Sequence, residues 1–163
     1  MKKDQMAFDN TERHAYLIMA HNNPYTLSRL LELLDDARND IYIHVDLKSK
    51  NFPINELKNK VKASNIIFIP RKKVGWGGYS MIDAEIRLIE CAANGKYMYY
   101  HLISGVDLPL KTQDYIVDFF KMPIEQSSFR LAAMKSITRA LNGTISFKNL
   151  RAEVIAPKHL CAF

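Results

Sequence analysis

Residues 75–110 read G-W-G-G-Y-S-M-I-D-A-E-I-R-L-I-E-C-A-A-N-G-K-Y-M-Y-Y-H-L-I-S-G-V-D-L-P-L. A glycine-rich turn around Trp76 leads into an amphipathic helix. Asn94 and Gly95 end that helix, and an apolar run over 97–103 reads as a strand. A second loop, Ser104 to Leu110, follows the strand. Loops of Gly, Ser, Asp and Trp at strand ends are where α/β proteins place ligands. Ser80 and Asp83 form an S-x-x-D pattern that predicts the helix cap. Ile82, Ile86, Ile89 and Ala93 recur at helical spacing and predict its apolar face.

The same alternation extends upstream. Residues 14–20 (H-A-Y-L-I-M-A), 41–45 (I-Y-I-H-V) and 66–69 (I-I-F-I) are short apolar runs without helical period, and predict three further strands. Between the first two, Asn22, Asn23 and Pro24 supply a cap and a first-turn proline. Leu27, Leu30, Leu31 and Leu34 then mark a helix that Asn39 and Asp40 interrupt. A weaker helix is predicted over 54–61, and Thr112 caps one that runs through Phe120. Strands that alternate with helices predict a mostly parallel sheet with helices on both faces. The expected α/β domain is 1–123. Residues 124–163 read as a divergent tail, with a weak helical pattern near 129–141 and no strand order.

A chain of 163 residues with 48% hydrophobic and 25% charged residues suits one globular domain. The net charge of +6 suits a nucleotide diphosphate, an acidic glycan or a membrane surface. It equally suits a plain solvated basic surface. No long basic run carries interleaved aromatics, which argues against nucleic acid. Cys91 and Cys161 are too few for a disulfide framework or a metal site. They read as a buried and a terminal thiol, with a reducing compartment as the default. The polar N-terminus lacks a signal-peptide pattern, and no segment reaches the ~20 apolar residues of a bilayer span. These features point to a cytoplasmic chain, with peripheral membrane association as the alternative.

Several residues suit binding better than packing. Asp46 closes the second strand, where a carboxylate accepts from a base edge or ribose hydroxyl; a solvated strand-end Asp fits the pattern as well. His44 stands two residues before it on the same strand face. Trp76 among Gly75, Gly77 and Gly78 suits stacking on a base or sugar, or anchoring a bend in the core. Asp107 suits a sugar hydroxyl, or a turn in which it caps its own backbone. Neither a G-x-G-x-x-G nor a P-loop is present, and there is no Asp-x-Asp to clamp a divalent metal.

The stretches Y-L-I-M-A-H-N-N-P, I-Y-I-H-V-D-L-K-S, V-G-W-G-G-Y-S-M-I-D-A-E-I and Y-Y-H-L-I-S-G-V-D-L-P-L-K-T lie in order over 14–120. Together they resemble the glycosyltransferase family of core-2 and I-branching β-1,6-N-acetylglucosaminyltransferases and peptide O-xylosyltransferases. The resemblance implies a Rossmann-like GT-A type fold. It also implies inverting transfer of GlcNAc or xylose from a UDP-sugar to a glycan or protein hydroxyl, with no metal or other cofactor. By position, Met19 and Asp46 line the uridine pocket, and Val74, Gly75 and Trp76 form its other wall. His21, Ser104 and Asp107 lie in matching motifs. The family's general base and its diphosphate-binding cations lie in a second half, and no residue of 124–163 maps onto that base. The resemblance therefore implies a truncated, donor-binding half, completed by a further segment or a partner chain. Eukaryotic members of that family carry a membrane anchor and many cysteines, so the resemblance implies a bacterial-type enzyme of surface polysaccharide here. Two other readings stay open: a catalytically inactive nucleotide-binding module, and a basic α/β interaction domain.

Overall fold

A computed structural model describes residues 13–121. Four strands and four helices alternate along them: β1 (His14–Ala20), α1 (Pro24–Leu34), β2 (Asn39–Val45), α2 (Ile54–Lys58), β3 (Asn65–Phe68), α3 (Tyr79–Ala92), β4 (Tyr99–Ser104) and α4 (Gln113–Lys121). The strands form one sheet in the order β3-β2-β1-β4, and every neighbouring pair is parallel. The chain builds outward from β1 to β3, then returns to set β4 on β1's other side. That reversal makes a crevice at the carboxyl ends of β1 and β4, the position where open α/β sheets bind ligands.

Alternation along the strands divides the core between two faces. Tyr16, Ile18, Ala20, Ile41, Ile43 and Val45 meet Leu27, Leu30, Leu31 and Leu34 of α1. On the opposite face Ala15, Leu17 and Tyr42 meet Leu88, Cys91 and Ala92 of α3, with Ile69. The parallel sheet with a helix on each face is as the sequence predicts. Helix α1 also begins as expected: Asn23 takes a left-handed conformation (φ 73°) and its side chain accepts from Thr26 N–H at 3.1 Å, with Pro24 in the first turn. Thr112 accepts from Tyr115 N–H at 3.3 Å and so starts α4 as predicted.

Other expectations need correction. Strand β2 begins at Asn39 rather than Ile41, because its polar start finds partners inside the fold. Asn39 Nδ2 donates to Leu34 O at 2.9 Å and Gln113 Oε1 at 2.8 Å; Asp40 accepts from Asn65 and Tyr97 and pairs with Arg13. The helix predicted over 54–61 stops at Lys58. Strand β3 is displaced by one residue, although Ile69 N–H still bonds Ile43 O at 2.9 Å. Strand β4 starts at Tyr99, since Tyr97 turns its hydroxyl to Asp40 and Tyr42.

Helix α3 departs most from the reading. Gly78 is its N-cap, and no side chain caps it. Ser80 Oγ instead accepts from Gly75 N–H at 2.7 Å, while Asp83 pairs with Lys72 and Arg87. The face turned to the sheet is Ala84, Leu88, Cys91 and Ala92. Ile82, Ile86 and Ile89 are each about half exposed. Small residues at 84 and 92 let the helix lie close to the sheet, which the larger isoleucines would hold off. Cys91 is buried but is not a free thiol, so the expected free sulfhydryl there does not stand. Among the described residues no helix is long and apolar enough to cross a membrane. The domain limit at 123, the segment 124–163 and Cys161 lie outside the described residues.

Candidate functional site

A cavity of about 660 Å³ opens across the carboxyl ends of β1, β2 and β4. Met19, His21, Asp46, Val74, Trp76, Ser104 and Asp107 all line it. Gly75 sits between two of these, with its N–H turned to Ser80 Oγ. Residues spread over nearly ninety positions of sequence are thus gathered at one end of the sheet.

Asp46 is held where β2 runs out. Its own N–H bonds Ala20 O at 2.8 Å, continuing the β1–β2 ladder by one step. One carboxylate oxygen accepts from Lys48 N–H at 2.9 Å and Val74 N–H at 3.2 Å, and the other faces the Lys48 ammonium at 3.6 Å. The Asp46 side chain is only 11% exposed. Burial alone would raise its pKa. The Lys48 and Val74 N–H groups and the Lys48 charge outweigh that, so it lies below the ordinary value. Asp46 is therefore an ionised acceptor fixed by the backbone, and not the freely solvated strand-end residue of the alternative reading.

The wall opposite is tied to the same loop. Arg71 donates to the carbonyl oxygens of Asp46 (2.7 Å) and Ser49. Leu47 N–H bonds Lys72 O at 3.1 Å, and Lys72 N–H bonds His44 Nε2 at 3.1 Å. Because His44 Nε2 accepts, the ring is neutral with its proton on Nδ1. Burial first, then the charges of Arg87 and Arg71, lower its pKa against the opposing pull of Asp46. That lone pair is already used, so His44 and Asp46 do not form a ready pair of metal ligands. No group of three or more His, Cys, Asp or Glu able to hold a metal occurs among the described residues.

Gly77 has φ +67°, a left-handed turn that carries the chain past Trp76 into α3. Trp76 is 91% exposed at the cavity rim, so it does not anchor a bend in the core of the described fold. Its indole offers a flat apolar surface to whatever enters.

On the far side, Ser104 N–H bonds Asp107 Oδ2 at 2.8 Å and Asp107 N–H bonds Ser104 O at 3.1 Å. Asp107 does cap its own turn, and still lines the cavity. Gly105 N–H bonds Met19 O at 2.8 Å, drawing this turn against β1. A Cβ there would lie 3.0 Å from Ala20 Cβ, so glycine lets the two strand ends meet.

Sequence reasoning missed several lining residues: Lys48, Ser49, Met81, Glu85, Leu102 and Val106. Lys48 and Ser49 sit in the quoted I-Y-I-H-V-D-L-K-S stretch, which was their available signal. Ser49 Oγ accepts from Asn22 N–H at 3.2 Å, joining the first and second strand ends. Lys48 is the one lysine or arginine among the described lining residues.

A parallel α/β sheet with a cavity at its switch point is a Rossmann-like arrangement, and that crevice is where open α/β sheets generally take ligands. The Core-2/I-Branching enzyme family profile matches residues 14–140, most of the chain. The chain belongs to the Core-2/I-branching enzyme family. It is similar to proteins described as "Probable beta-1,3-galactosyl-O-glycosyl-glycoprotein beta-1,6-N-acetylglucosaminyltransferase 7" of Sus scrofa (28% identity, 66% of this chain and 26% of the relative) and "Beta-1,3-galactosyl-O-glycosyl-glycoprotein beta-1,6-N-acetylglucosaminyltransferase" of Homo sapiens (27%, 75% and 29%). It is also similar to the "N-acetyllactosaminide beta-1,6-N-acetylglucosaminyl-transferase" of Mus musculus (28%, 66% and 28%). The matched portion spans less than a third of the length of these relatives.

Proposed function

We propose that this chain is the donor-binding portion of a glycosyltransferase that uses a UDP-sugar, with GlcNAc or xylose as the transferred sugar. One observation carries the reading: Asp46 and Trp76, distant in sequence, wall the same strand-end cavity. An ionised, backbone-fixed carboxylate suits the N–H of a uracil edge or a ribose hydroxyl. Met19 and Asp46 form one side of the uridine pocket in this reading, and Val74, Gly75 and Trp76 form the other. His21, Ser104 and Asp107 lie toward the sugar and its acceptor.

Transfer with inversion requires a base beside the acceptor hydroxyl and positive charge at the departing diphosphate. Lys48 is the cation that the described lining supplies. We assign no described residue as the base. The chain by itself is expected to bind donor weakly and to transfer sugar very slowly. The glycan or protein acceptor, metal-free chemistry, a completing segment or partner chain, and peripheral membrane association all belong to this proposal.

The test is calorimetric titration of UDP into the wild-type chain and Asp46→Ala. The variant should lose about 1–3 kcal/mol of binding, the range for a hydrogen bond to a charged group. A folded wild-type chain that ignores UDP overturns the reading. Equal affinity in the variant removes Asp46 from the site.

A further inference from the structure

Three carboxylates line the cavity: Asp46, Glu85 and Asp107. Two are already engaged. Asp46 takes two backbone N–H groups and faces Lys48, and Asp107 takes Ser104 N–H. Glu85 has neither a hydrogen bond nor an ion pair among the described residues. It stands on α3 one turn beyond Met81, and both line the cavity together with Leu102 and Val106 of the β4 side. Lys72 and Arg87 are both committed to Asp83.

A half-buried carboxylate without a protein donor, in a cavity that apolar side chains also line, carries a cost unless a ligand supplies the donor. The ligand must bring hydrogen-bond donors and an apolar face together. A diphosphate does not fit, because it brings acceptors and negative charge. A base fits poorly, since Asp46 already serves its edge in the nucleotide reading. A sugar ring fits: its hydroxyls donate to the carboxylate and its C–H face lies against Met81, Leu102 and Val106.

We infer that Glu85, with Met81, Leu102 and Val106, forms the sugar-ring subsite of this cavity, and that its carboxylate accepts from ring hydroxyl groups. The inference rests on the nucleotide-sugar reading above and orients the ligand within it. The nucleoside lies at the Asp46 and Val74 end, and the ring lies between α3 and the end of β4. Glu85 selects for ring hydroxyls and has no part in holding UDP.

The experiment titrates UDP and UDP-GlcNAc separately into the full chain, Glu85→Gln and Glu85→Ala. Circular dichroism checks the fold, which a partly exposed helix position should keep. Glu85→Ala should weaken UDP-GlcNAc about tenfold, the size expected for losing a charged acceptor. UDP should stay within twofold of wild type, and Glu85→Gln should fall between. Titrating a GlcNAc glycoside into the UDP-saturated chain separates the two sources of a ring. A loss confined to UDP-GlcNAc assigns the donor sugar, and a loss confined to the glycoside assigns the acceptor sugar; either upholds the subsite. Equal losses for UDP and UDP-GlcNAc overturn it, as does a wild-type affinity for all three ligands in Glu85→Ala. A folded wild-type chain that binds none of them overturns the nucleotide reading, and this inference with it.

Discussion

His14 and His101 meet across β1 and β4, with Nδ1 of the first 3.0 Å from Nε2 of the second. One must donate and the other accept, so the pair is stable only while at least one ring is neutral. Tyr16 stacks on His101 at 4.6 Å between centroids, and Phe120 meets it edge-on at 4.9 Å. Burial, and then the neighbouring His14, push the pKa of His101 down to about 4 from 6.5. The His14 pKa is lowered too, by burial first and then by Arg38. The unfolded chain therefore binds protons that the folded chain refuses, and acid favours unfolding. The stability held by this pair is present above pH 6.5 and is lost as pH falls toward 4. Urea unfolding should show about 2 kcal/mol less stability at pH 5 than at pH 7 from His101 alone. His101→Gln should flatten that slope. An unchanged slope in the variant means another group sets it.

At the scale of elements, the segment from Ile69 to Val74 is the second support of the site. It continues from β3, bonds the end of β2, and leads into the Trp76 turn. Arg71 fastens it to the 46–49 turn through two carbonyl oxygens. Arg71→Met should cost about 1–3 kcal/mol of stability by leaving those acceptors unpaired. Hydrogen exchange should quicken at the Leu47, Ser49 and Val74 amides while the β1 amides stay protected. Uniform quickening would mean that Arg71 holds the whole fold and not this junction. None of this clamp was legible in the sequence, because its partners stand 22 to 25 residues apart without a pattern. The strands and α1 were legible because apolar runs and leucine spacing are local signals. Helix α3 misled for the same reason. Its isoleucines imitate a core stripe, and its Ser80 and Asp83 imitate a cap, while contacts to Gly75, Lys72 and Arg87 decide both. Strand ends were the least legible, since Asn39 and Asp40 look like breakers until Gln113 and Tyr97 reach them.

Across the whole molecule, the cavity draws on residues from 19 to 107, so no smaller excerpt of the described fold contains it. Its walls come together only when β4 has docked on β1, a pairing far apart along the chain. The parallel sheet and its crevice place the chain in its family's general architecture. In the proposed reading, the choice of sugar rests instead with a few side chains of α3 and the end of β4. Trp76 is the only tryptophan in the entire sequence, and it stands in water at the cavity mouth. The protein thus carries an intrinsic optical probe at the one place of interest, free of background from any second indole. Its emission should shift to the blue, or be quenched, as UDP is added, and the change should saturate with the calorimetric affinity. A spectrum indifferent to bound nucleotide would show that the ring stays in solvent throughout, and would take stacking out of the account of recognition.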